Sequence, residues 1–171
     1  PLTMARLGWA TLFCAWLGGL AAQAPCDALH PLRMAYLDHS TLEQAEETEK
    51  LALSALTGAT GRCALLIEAH RWVSHARSAD FGWNPQQKFS RLNTGLHQLY
   101  ARVEAHPTDV VLRALRLSIT GTAPRWLRLD QDWREDLSAL RRLLAMDHWA
   151  ESPKFSAWMS NLAEQIEQER S

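Results

Sequence analysis

The feature that most limits the possible folds of this chain is the spacing of its apolar residues. From about residue 31 onward they recur at three- and four-residue steps, and no stretch alternates as a strand bounded by turn residues would. Such spacing collects apolar side chains on one face of an α-helix, and that face must be buried against another element. We therefore predict an all-α fold of six to seven antiparallel helices, packed as a compact bundle or as a short superhelix.

Cap and turn residues indicate where several helices begin and end. Ser40-Thr41-Leu42-Glu43 is a predicted capping box for the second helix, and Gly58 and Gly61 mark its end. Asn84-Pro85 and Ser152-Pro153 each place a capping side chain before a proline at the first helical position. Helices joined by loops this short are expected to pack as antiparallel neighbours.

The fourth and fifth helices are expected to supply much of the core. The fourth runs from Pro85 to about His106 and is predicted to turn Phe89 and its leucines inward. The fifth, from Val110 to Thr120, is almost entirely apolar, so it should be the most buried helix.

The N-terminal residues 1–24 have the pattern of a secretory signal peptide, with Met4 as the start and residues 1–3 as upstream sequence. Arg6 supplies a short basic region, and the apolar stretch from Leu7 to Ala22 is 16 residues long. A membrane-spanning helix needs about 20 residues, so the stretch favours export over spanning.

Two cleavage positions fit the small residues at the end of this segment. Ala22-Gln23-Ala24 is an A-x-A site, but Pro25 follows it and is unfavourable for cleavage; a cut after Ala21 is the alternative. Cleavage would leave residues 25–171 as one helical domain, periplasmic or secreted. An uncleaved segment would act instead as an N-terminal membrane anchor.

Charge and cysteine content narrow the possible partners and compartment. Removing Arg6 with the signal leaves 17 Lys and Arg against 19 Asp and Glu, a near-neutral balance that argues against nucleic-acid binding. Cys26 and Cys63 also remain, and in an oxidising compartment they are predicted to form a disulfide. Two unpaired thiols are the alternative.

A stretch in the middle of the chain resembles part of a known helical repeat. Gly95, Leu99 and Arg102 precede Pro107 by twelve, eight and five residues, which resembles the second helix of a tetratricopeptide repeat, although Arg102 stands where a small residue is usual. The superhelix alternative would then be tetratricopeptide-like, and helical hairpins of this kind offer binding grooves.

Several short motifs, in order, resemble an uncharacterised family of small exported bacterial all-helical proteins over roughly residues 31 to 145. They are Phe81-Gly82-Trp83-Asn84-Pro85-Gln86-Gln87-Lys88-Phe89, His106-Pro107-Thr108-Asp109, Leu112-Arg113-Ala114-Leu115-Arg116 and Ala123-Pro124-Arg125-Trp126-Leu127. The resemblance implies a helical fold and brings no activity or ligand with it.

No catalytic, metal-binding or cofactor-binding residues are predicted. His70 and His75 are five residues apart, which rotates them away from each other on a helix, and they are expected at the surface or a helix flank. His39 and His106 lie beside helix ends, where a partial positive charge is tolerated. The chain has no G-x-S-x-G elbow, and Thr57 to Gly61 lacks the lysine of a phosphate loop.

The segment from residue 113 to 133 holds the best candidate for a binding site. Arg113 and Arg116 lie in the apolar fifth helix, so each needs a partner. One interpretation is an ion pair with Asp109 or with the sixth helix, predicted to begin at Asp130 or Gln131; the other is an anion pocket shared with Arg125 and Arg128.

Tryptophans near this segment have two interpretations as well. Trp83, Trp126 and Trp133 could line an aromatic wall for a ligand, whereas large aromatics at helical steps are more often part of the core. Trp133 in particular is expected to point inward from the sixth helix.

The sequence is therefore compatible with two functions. The first is a non-enzymatic interaction or scaffold protein of the bacterial cell envelope, with a protein partner and no cofactor. The second is a periplasmic binding protein for a small anion or aromatic ligand, built on Arg113, Arg116, Arg125, Trp126 and Trp133, with Trp83 nearby.

Overall fold

A computed structural model describes residues 26–129 and 131–170 of this chain, and the predicted signal peptide, residues 1–24, lies outside them. Within that part the fold is all-α and has no strand, as the apolar spacing predicts. Seven α-helices follow one another: α1 Leu29–Leu37, α2 Leu42–Leu56, α3 Gly61–Arg77, α4 Pro85–Ala105, α5 Val110–Thr120, α6 Trp133–Ala145 and α7 Pro153–Arg170. Two 3₁₀ turns, Ser78–Asp80 and Arg125–Leu127, lie between α3 and α4 and between α5 and α6.

Capping side chains set several of these boundaries. Asn84 accepts hydrogen bonds from the backbone N–H groups of Gln86 and Gln87, as expected for the cap of α4. The capping box of α2 is shifted by one residue from its predicted position, because Thr41 is the cap and Gln44 completes the box. The start of α6 is later than predicted: of its two predicted start positions, Asp130 lies outside the described residues and Gln131 is in a turn.

Helix α3 is the centre of the packing, since it contacts α1, α2, α4 and α5. Its contact with α4 is close because Gly95 has no side chain: a Cβ there would lie 2.7 Å from the Cβ of Ala76 and from the carbonyl oxygen of Trp72. Helix α5 is buried along almost its whole length, which confirms the prediction for the fifth helix. Helix α1 packs on α7 as well as on α2 and α3, so the two ends of the described chain meet in a compact bundle.

One prediction for the core face of α4 is wrong. Phe89, expected to face inward from α4, is 56% exposed. It lies near the start of that helix, whose buried face is supplied further along by Gly95, Leu96, Leu99 and Val103.

None of the described helices combines the length and apolar character needed to cross a membrane.

Candidate functional site

The arginines of α5 are paired with carboxylates of α6 and of the turn before it. Arg116 donates from Nε and Nη2 to the two carboxylate oxygens of Asp136 at 2.8 and 2.7 Å, and its Nη1 lies 3.2 Å from Asp132. Arg113 donates to Glu135 at 2.8 Å and lies 3.9 Å from Asp136. The predicted ion pairs with the sixth helix are therefore confirmed.

This pairing leaves little capacity for an exogenous anion at Arg116. Its side chain and that of Asp136 are 5% and 2% exposed, and its guanidinium also lies 4.7 Å from the ring of Tyr100. Burial alone would lower the pKa of Arg116, but the hydrogen bonds and charge of Asp136 raise it above the usual value, so the guanidinium stays charged. The geometry does not favour an anion pocket at Arg113 and Arg116.

The other predicted site residues lie apart from that pair. Arg125 and Trp126 are both exposed on the 3₁₀ turn before α6. Trp133 is half-buried, and the guanidinium groups of Arg134 and Arg170 each lie 4.8 Å from its ring. Arginines thus cover Trp133, and the structure does not join it to Trp126 in a ligand wall.

Two tryptophans that were expected in the core are in solvent. Trp83 is 91% exposed and Trp126 is 79% exposed. Each lies in a connection between two α-helices, where the helical periodicity on which the core prediction rested does not apply. Trp149 and Phe155 are large aromatic side chains that do fill the core around α7, and both are almost fully buried.

The predicted disulfide is present. Cys26 and Cys63 are bonded, with their Cα atoms 5.5 Å apart, and the bond ties the segment before α1 to the first turn of α3. It borders a cleft of about 890 Å³, whose walls are α1, the turn between α2 and α3, and the turn between α6 and α7. This volume lies within the range of small-molecule sites.

Arg33 of α1 is the unusual residue in this cleft. Its side chain is 3% exposed, and its Nη1 forms an ion pair with Glu151, which is 54% exposed. Its Nε is buried and finds no hydrogen-bond partner among the described residues. Burial lowers the pKa of Arg33, and the charge and hydrogen bond of Glu151 oppose that shift.

Arg33 also borders a second, internal cavity beside His70 and Phe155. That cavity measures about 10 Å³, enough for about one water molecule and no larger guest. His70 lies against it, and its Nε2 likewise has no hydrogen-bond partner among the described residues. Any larger ligand of Arg33 would have to approach from the outer cleft.

The histidine predictions need correction in two cases. His70, expected at the surface or a helix flank, is buried, and burial together with the charge of Arg33 lowers its pKa to about 3. His39, expected to tolerate positive charge at a helix end, is also buried, and its pKa falls to about 4, chiefly from burial and then from Arg77. His39 instead makes a neutral hydrogen bond with the hydroxyl of Thr48 at 2.7 Å.

Sequence reasoning missed Arg33 and Glu151. The signal for Arg33 was present, because it is a charged residue within the apolar helix Leu29–Leu37, the same pattern that singled out Arg116. Nothing in the sequence places Glu151, more than a hundred residues away, beside it. Among the described residues no group of three or more His, Cys, Asp or Glu side chains is arranged to hold a metal ion.

No protein-family model, curated protein or solved structure matches this chain. The resemblances to tetratricopeptide repeats and to small exported bacterial helical proteins therefore stay predictions.

Proposed function

We propose that this protein is a non-enzymatic interaction or scaffold protein of the bacterial cell envelope, and that it binds a protein partner through Trp83. The observation that carries the proposal is the 91% exposure of that side chain. A fully exposed tryptophan leaves a large apolar surface in water, and tryptophan is enriched among the residues that dominate the energy of protein interfaces.

The local structure supports Trp83 as an anchor because its backbone is held on both sides. The 3₁₀ turn Ser78–Asp80 precedes it, and a hydrogen bond from the Phe81 N–H to the Ser78 carbonyl, 3.2 Å long, closes that turn. The capped first turn of α4 begins directly after it, at Asn84. A side chain presented from a fixed backbone loses less entropy when it binds.

A second apolar side chain lies on the same helix start. Phe89 is 56% exposed, five residues after the cap of α4. A partner that covers the start of α4 would take both aromatic side chains out of water. The disulfide supports the cellular setting of the proposal, since such bonds persist in oxidising compartments such as the periplasm.

Capture experiments with matched variants test the proposal. The mature chain, Trp83→Ala and Met146→Ala would each be immobilised and exposed to envelope extract, with captured proteins quantified by mass spectrometry. Met146 is 74% exposed and serves as the control for loss of exposed apolar surface. We expect a partner retained by wild type and by Met146→Ala, and bound at least about tenfold more weakly by Trp83→Ala.

Equal capture by all three proteins would contradict the role of Trp83. If wild type captured nothing beyond a blank resin, the interaction function itself would be wrong. Circular dichroism of each variant should show unchanged helicity, because neither side chain contributes to the core.

A further inference from the structure

The guanidinium of Arg33 has more hydrogen-bonding capacity than the described protein uses. An arginine carries five N–H donors, and the single side-chain hydrogen bond of Arg33 runs from Nη1 to one oxygen of Glu151. Its Nε is buried without a partner among the described residues. Arg116, the other buried arginine, shows the contrast, because Asp136 holds it with both carboxylate oxygens.

Glu151 is a partner that another carboxylate can replace on Arg33. It is 54% exposed, so water can solvate its carboxylate when the pair opens, whereas Arg33 at 3% exposure cannot follow it. Glu151 lies on the turn between α6 and α7, whose backbone is fixed by a 2.8 Å hydrogen bond from the Ser152 N–H to the Trp149 carbonyl. Exchange therefore needs only a rotation of the Glu151 side chain, provided that a second carboxylate takes its place so that the buried Arg33 is not left unpaired.

The cleft in front of Arg33 has the chemistry of a site for an amphipathic anion. Its lining includes the apolar side chains of Leu29, Ala59 and Leu66 beside the disulfide. Arg62 adds a second cation, 40% exposed and already bonded to Asp109, while Asp27 and Glu151 supply negative charge. An apolar wall with one buried cation fits a ligand that has a carboxylate at one end and an apolar body.

We propose that this cleft binds a small organic carboxylate, whose carboxylate replaces that of Glu151 on Arg33. In the structure, the Glu151 carboxylate occupies the position on Arg33 that the ligand carboxylate would take. A ligand carboxylate can use both of its oxygens and so reach a second N–H of Arg33, as the Asp136 carboxylate does on Arg116. This inference does not depend on the partner binding proposed for Trp83.

The experiment uses phenylacetate as the probe and the full chain as the protein. Backbone amide resonances of Gly58, Ala59 and Gly61, which line the cleft, report binding by NMR titration. Because Glu151→Gln removes a competing carboxylate and weakens the bond that the probe must replace, we expect it to bind phenylacetate about three- to tenfold more tightly than wild type. Phenylacetamide, which has the same shape without the charge, should leave the resonances unchanged.

A second ion pair provides the matched control. Arg141 and Glu167 pair across α6 and α7, away from the cleft, so Glu167→Gln should bind phenylacetate as wild type does. Arg33→Met should lose binding; if it fails to fold, the comparison of Glu151→Gln with wild type decides the question. Equal or weaker binding by Glu151→Gln, or no shift of the cleft amides at millimolar phenylacetate in either protein, would overturn the proposal.

Discussion

Buried arginines are the residues that most constrain this bundle. Arg116 is neutralised by Asp136, which is itself buried, so neither charge can return to water without disrupting the contact between α5 and α6. Arg33 is buried to a similar degree, but its partner Glu151 is half-exposed. The first pair is therefore suited to a structural role and the second to exchange of its partner.

Removal of the charge on Asp136 should be strongly destabilising. Asp136→Asn keeps the shape but leaves the buried Arg116 with only Asp132, which is 47% exposed, as a charged partner. We expect the free energy of unfolding to fall by about 3 kcal/mol, measured by urea denaturation, because an unpaired buried charge is costly. Replacing both partners, in Arg116→Met with Asp136→Leu, should recover most of that loss.

The exposed pair of Arg141 and Glu167 is the control for this prediction. Glu167→Gln should change the stability little, because solvent-exposed ion pairs contribute little. If Asp136→Asn unfolded at the same urea concentration as wild type, the buried pair would not have the structural role that its burial implies.

Buried histidines should make the protein sensitive to mild acid. The pKa of His70 is about 3 in the folded chain, against about 6.5 in an unfolded chain. Above pH 6.5 both states are neutral, and below it only the unfolded state takes up the proton, so stability is lost progressively as the pH falls from 6.5 towards 3. His39, with a folded pKa of about 4, acts in the same direction.

His70→Gln tests this dependence directly. Between pH 7 and pH 5, the free energy of unfolding of wild type should fall by about 2 kcal/mol more than that of the variant, because glutamine does not titrate. His97 is exposed, and His97→Gln should keep the wild-type pH dependence. Parallel pH profiles for wild type and His70→Gln would mean that His70 is protonated in the folded protein.

At the level of helices, the local signals in the sequence were sufficient for the pattern of elements but not for every side chain. Periodicity and caps predicted the all-α fold, the start of α4 at Pro85 and the burial of α5. They failed for Trp83, which lies in a loop where helical periodicity does not apply, and for Phe89, whose exposure depends on which elements pack against the start of α4 and not on its position in the repeat. The cleft was missed since its walls come from residues near 30, 60 and 150, which only the tertiary packing brings together.

The contact between α3 and α4 depends on Gly95, and Gly95→Ala should disrupt it. Alanine favours helix by about 1 kcal/mol over glycine, but its Cβ would lie 2.7 Å from both the Ala76 Cβ and the Trp72 carbonyl oxygen. The backbone carbonyl of Trp72 cannot move aside as the end of a flexible side chain can. We therefore expect Gly95→Ala to lower the free energy of unfolding by about 1–3 kcal/mol, measured by thermal or urea denaturation. Thr94→Ala, at an exposed position on the same helix, should be neutral or slightly stabilising.

In the molecule as a whole, the described chain closes on itself because α1 contacts both α3 and α7. Helix α1 has 9 residues, too few to be stable alone. Besides its packing on α2, α3 and α7, it is held by three connections: the disulfide from Cys26 to Cys63, the ion pair from Arg33 to Glu151, and a 2.8 Å hydrogen bond between His30 and Ser152. The disulfide is the only covalent connection of the three, and it forms one wall of the cleft.

Reduction of the disulfide should therefore destabilise α1 more than the rest of the bundle, and it should also lower the overall stability. The bond joins residues 37 apart in sequence, and closing such a loop is worth about 4 kcal/mol in the chain-entropy model, or a melting temperature about 5–15 °C higher. Dithiothreitol should lower the melting temperature of wild type to that of Cys63→Ser, and should leave the variant unchanged. In hydrogen exchange, the amides of α1 should lose more protection on reduction than those of α5, which is buried at the centre. Equal loss of protection in both helices would show that α1 and α5 open as one cooperative unit, and the disulfide would then stabilise the whole bundle and not α1 in particular.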